Sequence, residues 1–170
     1  MNIYSEKVLL RPIELEDAEF LRNMINDPKM EAHVVGYSFP VSKSAQEEWI
    51  KSLGSRNNEF RAIIDVEGHA VGAAMLTDID FKNGTAEIHI KIADDNNRGC
   101  GYGKDTVICL TDYAFDELRL NCVYCSIRED NRTSQRLFES CGYTFEGTLR
   151  RRMFKSGKSY DLKSYSKTRD

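Results

Sequence analysis

What most constrains this chain is a strand that runs into a glycine loop and leaves it as a helix. In "AEIHIKIADDNNRGCGYGKDTV", Glu87, His89 and Lys91 alternate with Ile88, Ile90 and Ile92. That period of two belongs to a strand with one polar and one apolar face. From Gly103 to about Leu118 the pattern is helical, with Val107, Ile108, Leu110, Ala114, Phe115 and Leu118 apolar, and "CVYCSI" follows as another strand. A strand, a helix and a strand with no hairpin between them argue for a parallel crossover at this one place.

The rest of the chain reads as hairpins and helices around that unit. A first strand over residues 7–11 ends at Pro12, and "EDAEFLRNMIND" places Ala18, Leu21 and Met24/Ile25 on one helical face. "SKSAQEEWIKSLG" is a second helix. Ser44 and Glu47 form its expected capping box, Ala45, Trp49/Ile50 and Leu53 its stripe, and Gly54 its end. Strands over 59–66 and 70–80 are joined by "EGH", and Asn83-Gly84 marks the turn before the alternating strand. Asn131 caps a short helix that Gly142 closes, and residues 143–166 form a closing hairpin. The order β-α-α-β-β-β-α-β-α-β-β describes a single mixed α+β domain over residues 1–170.

Composition removes several function classes. The 170 residues are 41% apolar and 30% charged, an ordinary globular balance that supports one core. A net charge of −3 is too mild for a nucleic-acid footprint and is compatible with a cationic substrate. No stretch reaches transmembrane length, so no membrane partner is expected. The five scattered cysteines, with no export signal ahead of them, read as reduced thiols of a cytoplasmic protein. Cys122 and Cys125 are spaced C-x-x-C, but on a strand they face opposite ways and nothing completes a set of ligands, so no metal is expected.

The loop "RGCGYGK" offers bare backbone at the start of a helix, flanked by cations, which suits an anion such as a phosphate. It is not a dinucleotide fingerprint, because Gly103 follows Gly101 one place too early for G-x-G-x-x-G. It is not a Walker A loop either, since Arg98 and Asp105 stand where glycine and Ser/Thr are needed. The pattern it satisfies is R/Q-x-x-G-x-G/A, through Arg98, Gly101 and Gly103. With "LRPIELEDAEFL", "NRTSQRLFESCGYTFEG" and the "SYDLKSYS" ending, the chain resembles the GNAT superfamily of N-acetyltransferases over nearly its whole length. Its nearest likeness is to the branch of ribosomal-protein N-terminal and spermidine/spermine acetyltransferases.

That resemblance implies a single-domain GNAT-like fold, a mixed central sheet splayed at the glycine-loop strand and flanked by helices. It implies acetyl-CoA as cofactor. The pyrophosphate would lie on the loop of Arg98, Gly99, Gly101, Tyr102, Gly103 and Lys104, with the Tyr102 side chain read as packing despite its position. The pantetheine arm would pair with the main chain of Ile90, Lys91 and Ile92, and Asn131 and Ser134 would reach its thiol side. The acceptor would be a small-molecule amine or a protein N-terminus, and a homodimer is compatible with the family.

Acetyl transfer needs a neutral amine and a proton for the departing thiolate. The base candidates on the polar face are Glu87, favoured by its counterpart in spermidine relatives, and His89, whose ordinary pKa near ~6.5 suits a base. The acid is the departure from the family pattern, because Phe138 stands at the usual tyrosine place. Ser134 is the preferred substitute, beside Cys141, Tyr143, water or an unassisted thiolate. "GYSFPVSKSAQEEW" lies where the family's substrate wall is, with Glu47 and Glu48 as possible lining, and Arg150 to Arg152 could meet a phosphate or an acidic partner. The competing function is a non-catalytic acyl-CoA-binding or sensing module, which Phe138 permits. A nucleic-acid-associated protein is the remote third.

Overall fold

A computed structural model of the chain describes residues 1–35, 39–55, 57–93 and 95–170. Its strands are β1 (Ile3–Tyr4), β2 (Leu9–Arg11), β3 (Phe60–Val66), β4 (His69–Asp80), β5 (Thr85–Ile92), β6 (Cys122–Arg128), β7 (Thr144–Lys155) and β8 (Lys158–Thr168). Its helices are α1 (Ala18–Asn26), α2 (Pro28–Glu31), α3 (Lys43–Ser52), α4 (Tyr102–Asp116) and α5 (Arg132–Ser140). The strands form one sheet in the order β1-β2-β3-β4-β5-β6-β8-β7. Only β5 and β6 run parallel among the described pairings, and α4 is the crossover between them.

The alternation in β5 divides the molecule into two layers. Ile88 joins Val107, Leu110, Phe115, Val123 and Phe138 in a core under α4 and α5. On the opposite face Leu21, Met24 and Ile50 of α1 and α3 pack on Ile63 and Ala73. Glu87, His89 and Lys91 belong to that second face. The cysteines of the C-x-x-C pair follow the same rule, Cys125 buried in the first core and Cys122 half-exposed on the other side.

Element boundaries shift where local chemistry was misjudged. The α3 cap is Ser42, not Ser44. Ser42 is the last extended residue, at φ −77° and ψ 164°, and its hydroxyl accepts from the Ala45 amide at 3.2 Å. Ser44 only shares a hydrogen bond with the Ser42 hydroxyl. The first expected strand shrinks to Leu9–Arg11, because Asp105 takes the amides of Lys7 and Val8. The single turn of α2 was not expected; Asp27 caps it and Pro28 opens it.

A buried ion network fastens α1 to the sheet. Arg11 donates to both carboxylate oxygens of Asp17 at 2.9 Å and, through Nε, to Asp65 at 2.8 Å. Both acids are nearly inaccessible. Burial alone would raise the Asp17 pKa, but the bonds from Arg11 and the Glu14 amide prevail and lower it.

Candidate active site

The site begins where β5 and β6 part. Their pairing covers Thr85–Cys122, Ala86–Val123 and Glu87–Tyr124, yet β5 continues to Ile92 and β6 to Arg128. On its other edge β5 stays paired with β4 through Gly72–Ile92. The Ala93 amide donates to the Val71 carbonyl, so by antiparallel alternation the main chains of Lys91, His89 and Glu87 also turn towards β4. The peptide groups of Ile90 and Ile92 therefore face the gap. Lys91 does not share this orientation, and its carbonyl leaves no room for a Cβ at Gly72.

Each glycine of the loop has its own job. Gly99 and Gly101 adopt φ of +77° and +87°, which L side chains rarely tolerate. Gly101 is the N-cap of α4, and its carbonyl accepts from the Asp105 amide at 3.0 Å. Gly103 has ordinary φ but close neighbours: a Cβ there would lie 3.4 Å from Leu137 and 3.6 Å from Ile90. That contact brings α4, α5 and β5 together beside the gap. Tyr102 packs partly buried against the first core, while Arg98, Gly99 and Lys104 are exposed. Asp105 holds the helix start in place by accepting from Ser5 Oγ at 2.8 Å and from the Lys7 and Val8 amides at 2.8 and 3.1 Å.

On the α5 side, Asn131 uses its side-chain oxygen to cap the helix, accepting from the Ser134 amide at 3.1 Å. Ser134 is half-buried in the first turn. Phe138 is buried edge-on against Tyr143 at 5.0 Å. The Tyr143 hydroxyl is bonded to Thr111 Oγ1 at 2.7 Å, and burial drives its pKa far up. Burial likewise raises the pKa of the Cys141 thiol, which rests against the Lys104 carbonyl.

Glu87 and His89 meet at the mouth of the gap. His89 Nε2 lies 3.6 Å from Glu87 Oε2 and 3.0 Å from Thr77 Oγ1. Tyr124, in register with Glu87 across the last parallel pair, completes the group. Burial, then the charges of Glu87 and Asp78, push its phenol pKa up. Asp78 is carried there by an irregularity in β4, with φ +49°.

Beyond His89 on this face lies an apolar cavity of about 320 Å³ between α1, α3 and the sheet. Leu21, Met24, Trp49 and Met75 line it, with Arg61 and Lys91 as its charged wall. Of the expected substrate wall, residues 36–38 lie outside the described residues, while Val41, Ala45, Gln46 and Trp49 do contribute. Glu47 and Glu48 do not: Glu47 pairs at 3.9 Å with Lys43 on the outer helix face, and Glu48 is exposed. Arg150 to Arg152 form an exposed bulge between the pairs Leu149–Leu162 and Met153–Tyr160, where Asp161 takes the Arg151 amide.

Residues 7–144 match the family model described as acetyltransferase (GNAT) domain. The chain belongs to the GNAT acetyltransferase family. Among curated GNAT relatives, an uncharacterized N-acetyltransferase p20 of Bacillus licheniformis is 30% identical, over 97% of this chain and 94% of its own. The putative ribosomal N-acetyltransferase YdaF of Bacillus subtilis is 29% identical, over 95% and 91%. Among solved structures, the Vibrio cholerae spermidine N-acetyltransferase with CoA and spermine superposes with a TM-score of 0.88 at 24% identity, over 95% of each chain. The ribosomal alpha-N-protein acetyltransferase RimL in complex with coenzyme A gives 0.89 at 16% identity, over 99% and 98%. This GNAT chain is an N-acetyltransferase. Among the described residues no helix is long and apolar enough to cross a membrane.

Sequence reasoning missed Tyr124, Thr77 and the cavity. Tyr124 becomes visible only through the parallel register, which no local pattern encodes. Thr77 sits opposite Glu87 in a strand that read simply as buried β.

Proposed function

We propose that this GNAT enzyme transfers the acetyl group of acetyl-CoA directly to a primary amine, with Glu87 as the base. The observation that carries this reading is the end of β5–β6 pairing at Glu87–Tyr124. It sets a carboxylate at the apex of a gap whose far end is the glycine loop. The residues present fit CoA. Gly99 has no atom within 4 Å of where its Cβ would be, so the loop surface is open to a pyrophosphate. The first amides of α4 have no intrahelical acceptor and suit an anion, and Arg98 and Lys104 would add charge. Asn131, occupied as a cap, would support the cofactor by fixing the first turn of α5. Ile90 and Ile92 would receive the pantetheine arm through their main chains.

Acetyl-CoA supplies an activated acyl group. The neutral amine attacks the thioester carbonyl, the C–N bond forms, the C–S bond breaks, and CoA leaves as its thiolate. Glu87, directly or through water, takes the amine proton, and His89, held by Thr77, orients that carboxylate or the ammonium. Ser134 relays a proton from water to the thiolate, its own hydroxyl restored in the same step, since Phe138 has no proton and the Tyr143 hydroxyl is engaged inside the core. The acceptor class spans small-molecule amines and protein N-termini.

Glu87→Gln keeps the shape and removes the base. It should leave CoA affinity by calorimetry unchanged while lowering kcat for the best acceptor by about 10²–10⁴. Wild-type turnover in this variant across pH 6 to 9 would refute the assignment.

A further inference from the structure

The cavity beyond His89 holds a cation that acetyl transfer leaves unexplained. Lys91 is half-buried, and its ammonium has no hydrogen-bond or ion-pair partner among the described residues. The other charged residue on the wall, Arg61, is already matched, donating to Glu59 at 2.8 Å and stacking 5.5 Å from the Trp49 ring centre. An unpaired ammonium against hydrocarbon is costly. Burial, with the Arg61 charge, accordingly lowers the Lys91 pKa. An anion entering the cavity would remove that cost. His89 and Lys91 are successive residues on one strand face, about 7 Å apart, and Glu87 is about 13 Å from Lys91.

We propose that the acceptor is an amine with an apolar body and an anionic group at its far end, the body seated in the cavity and the anion on Lys91. This rests on the acetyl-transfer reading, which puts the amine at Glu87. The volume of about 320 Å³ is ample for an aromatic ring, since ~150 Å³ accommodates benzene. A polyamine fits poorly, because its second ammonium would meet Lys91 and Arg61, while Glu47 and Glu48 lie outside.

Trp49 is the chain's one tryptophan and stands on the cavity wall, so its fluorescence reports binding independently of turnover. The probes are 4-(2-aminoethyl)benzoate, its methyl ester and spermidine. The benzoate should quench Trp49 and give the highest kcat/KM. Lys91→Met should weaken its binding and kcat/KM by about tenfold or more, with the ester unchanged. Lys91→Glu should move the preference towards spermidine. The acid–ester comparison on wild type needs no variant and survives any folding failure. Equal affinity for acid and ester, or spermidine acetylated as well as the benzoate, overturns the proposal. Lys91-dependent quenching without acetylation of any probe would instead uphold the anion site and sink the transfer reading.

Discussion

At the scale of single residues, Lys91 makes a prediction about stability as well as recognition. Its folded-state pKa lies below the ordinary lysine value, so between the two the unfolded chain binds more protons than the folded one. Stability from this residue therefore rises as pH climbs through that window. Lys91→Met should raise stability at pH 7, within the ~1–3 kcal/mol attached to an unsatisfied buried group. The advantage over wild type should shrink towards pH 10, as followed by urea midpoints; a variant less stable at pH 7 would show that the ammonium is satisfied. Ser134 gives a second test. If its hydroxyl protonates the thiolate, Ser134→Ala should lower kcat by at least about 10² without altering CoA affinity. Unchanged pre-steady-state acetylation would mean that the thiolate leaves unaided. The charge at position 91 was plain in the sequence, but its isolation was not, because the cavity is built by side chains from α1, α3 and three strands.

Elements hold their places through a few long-range polar links that the sequence pattern does not announce. The helical stripe of Ala18, Leu21 and Met24 was legible, and all three residues are buried. What orients α1 is Arg11, which looked like the unremarkable end of a strand before Pro12. Arg11→Met would leave two nearly inaccessible carboxylates uncompensated, at a cost of about 3–5 kcal/mol. The pH dependence distinguishes this from lost packing. Asp17 has a lowered folded-state pKa, so its contribution is present above the unfolded carboxylate value and disappears as pH falls through the folded one. Wild type should therefore lose stability steeply below about pH 4, and Arg11→Met should show a flatter acid limb in chemical denaturation. Parallel acid limbs would mean that Arg11 acts by packing alone. Asp105 is a similar case. It follows the glycine loop in sequence, yet its three bonds to residues 5–8 decide where β2 starts and how α4 is anchored.

On the scale of the whole molecule, the useful feature is a sheet left deliberately incomplete at its centre. The order of elements along the chain from β2 onward, the parallel crossover and the two faces of β5 were readable, because each follows from local periodicity and from the absence of a hairpin before β6, whereas the place of β8 between β6 and β7 in the sheet was not. The point where β5 and β6 separate was not readable, since divergence depends on the rest of the sheet: β6 stays paired with β8 from Cys122 to Arg128 while β5 follows β4. That geometry makes an amide-resolved prediction. The amides of His89 and Lys91 are directed at β4, whereas those of Ile90 and Ile92 are directed at the gap. In the free protein, hydrogen exchange should accordingly be faster at Ile90 and Ile92 than at their neighbours, an alternation that uniform fraying of the strand would not produce. CoA bound along β5 should slow those two amides selectively and leave His89 and Lys91 nearly as they were. It should also raise Tm, since a ligand at a hundred times its Kd adds about 2.7 kcal/mol of stability. Protection confined to residues 101–104, with Ile90 and Ile92 still exchanging fast, would mean that the loop grips the cofactor while the gap does not hold its arm.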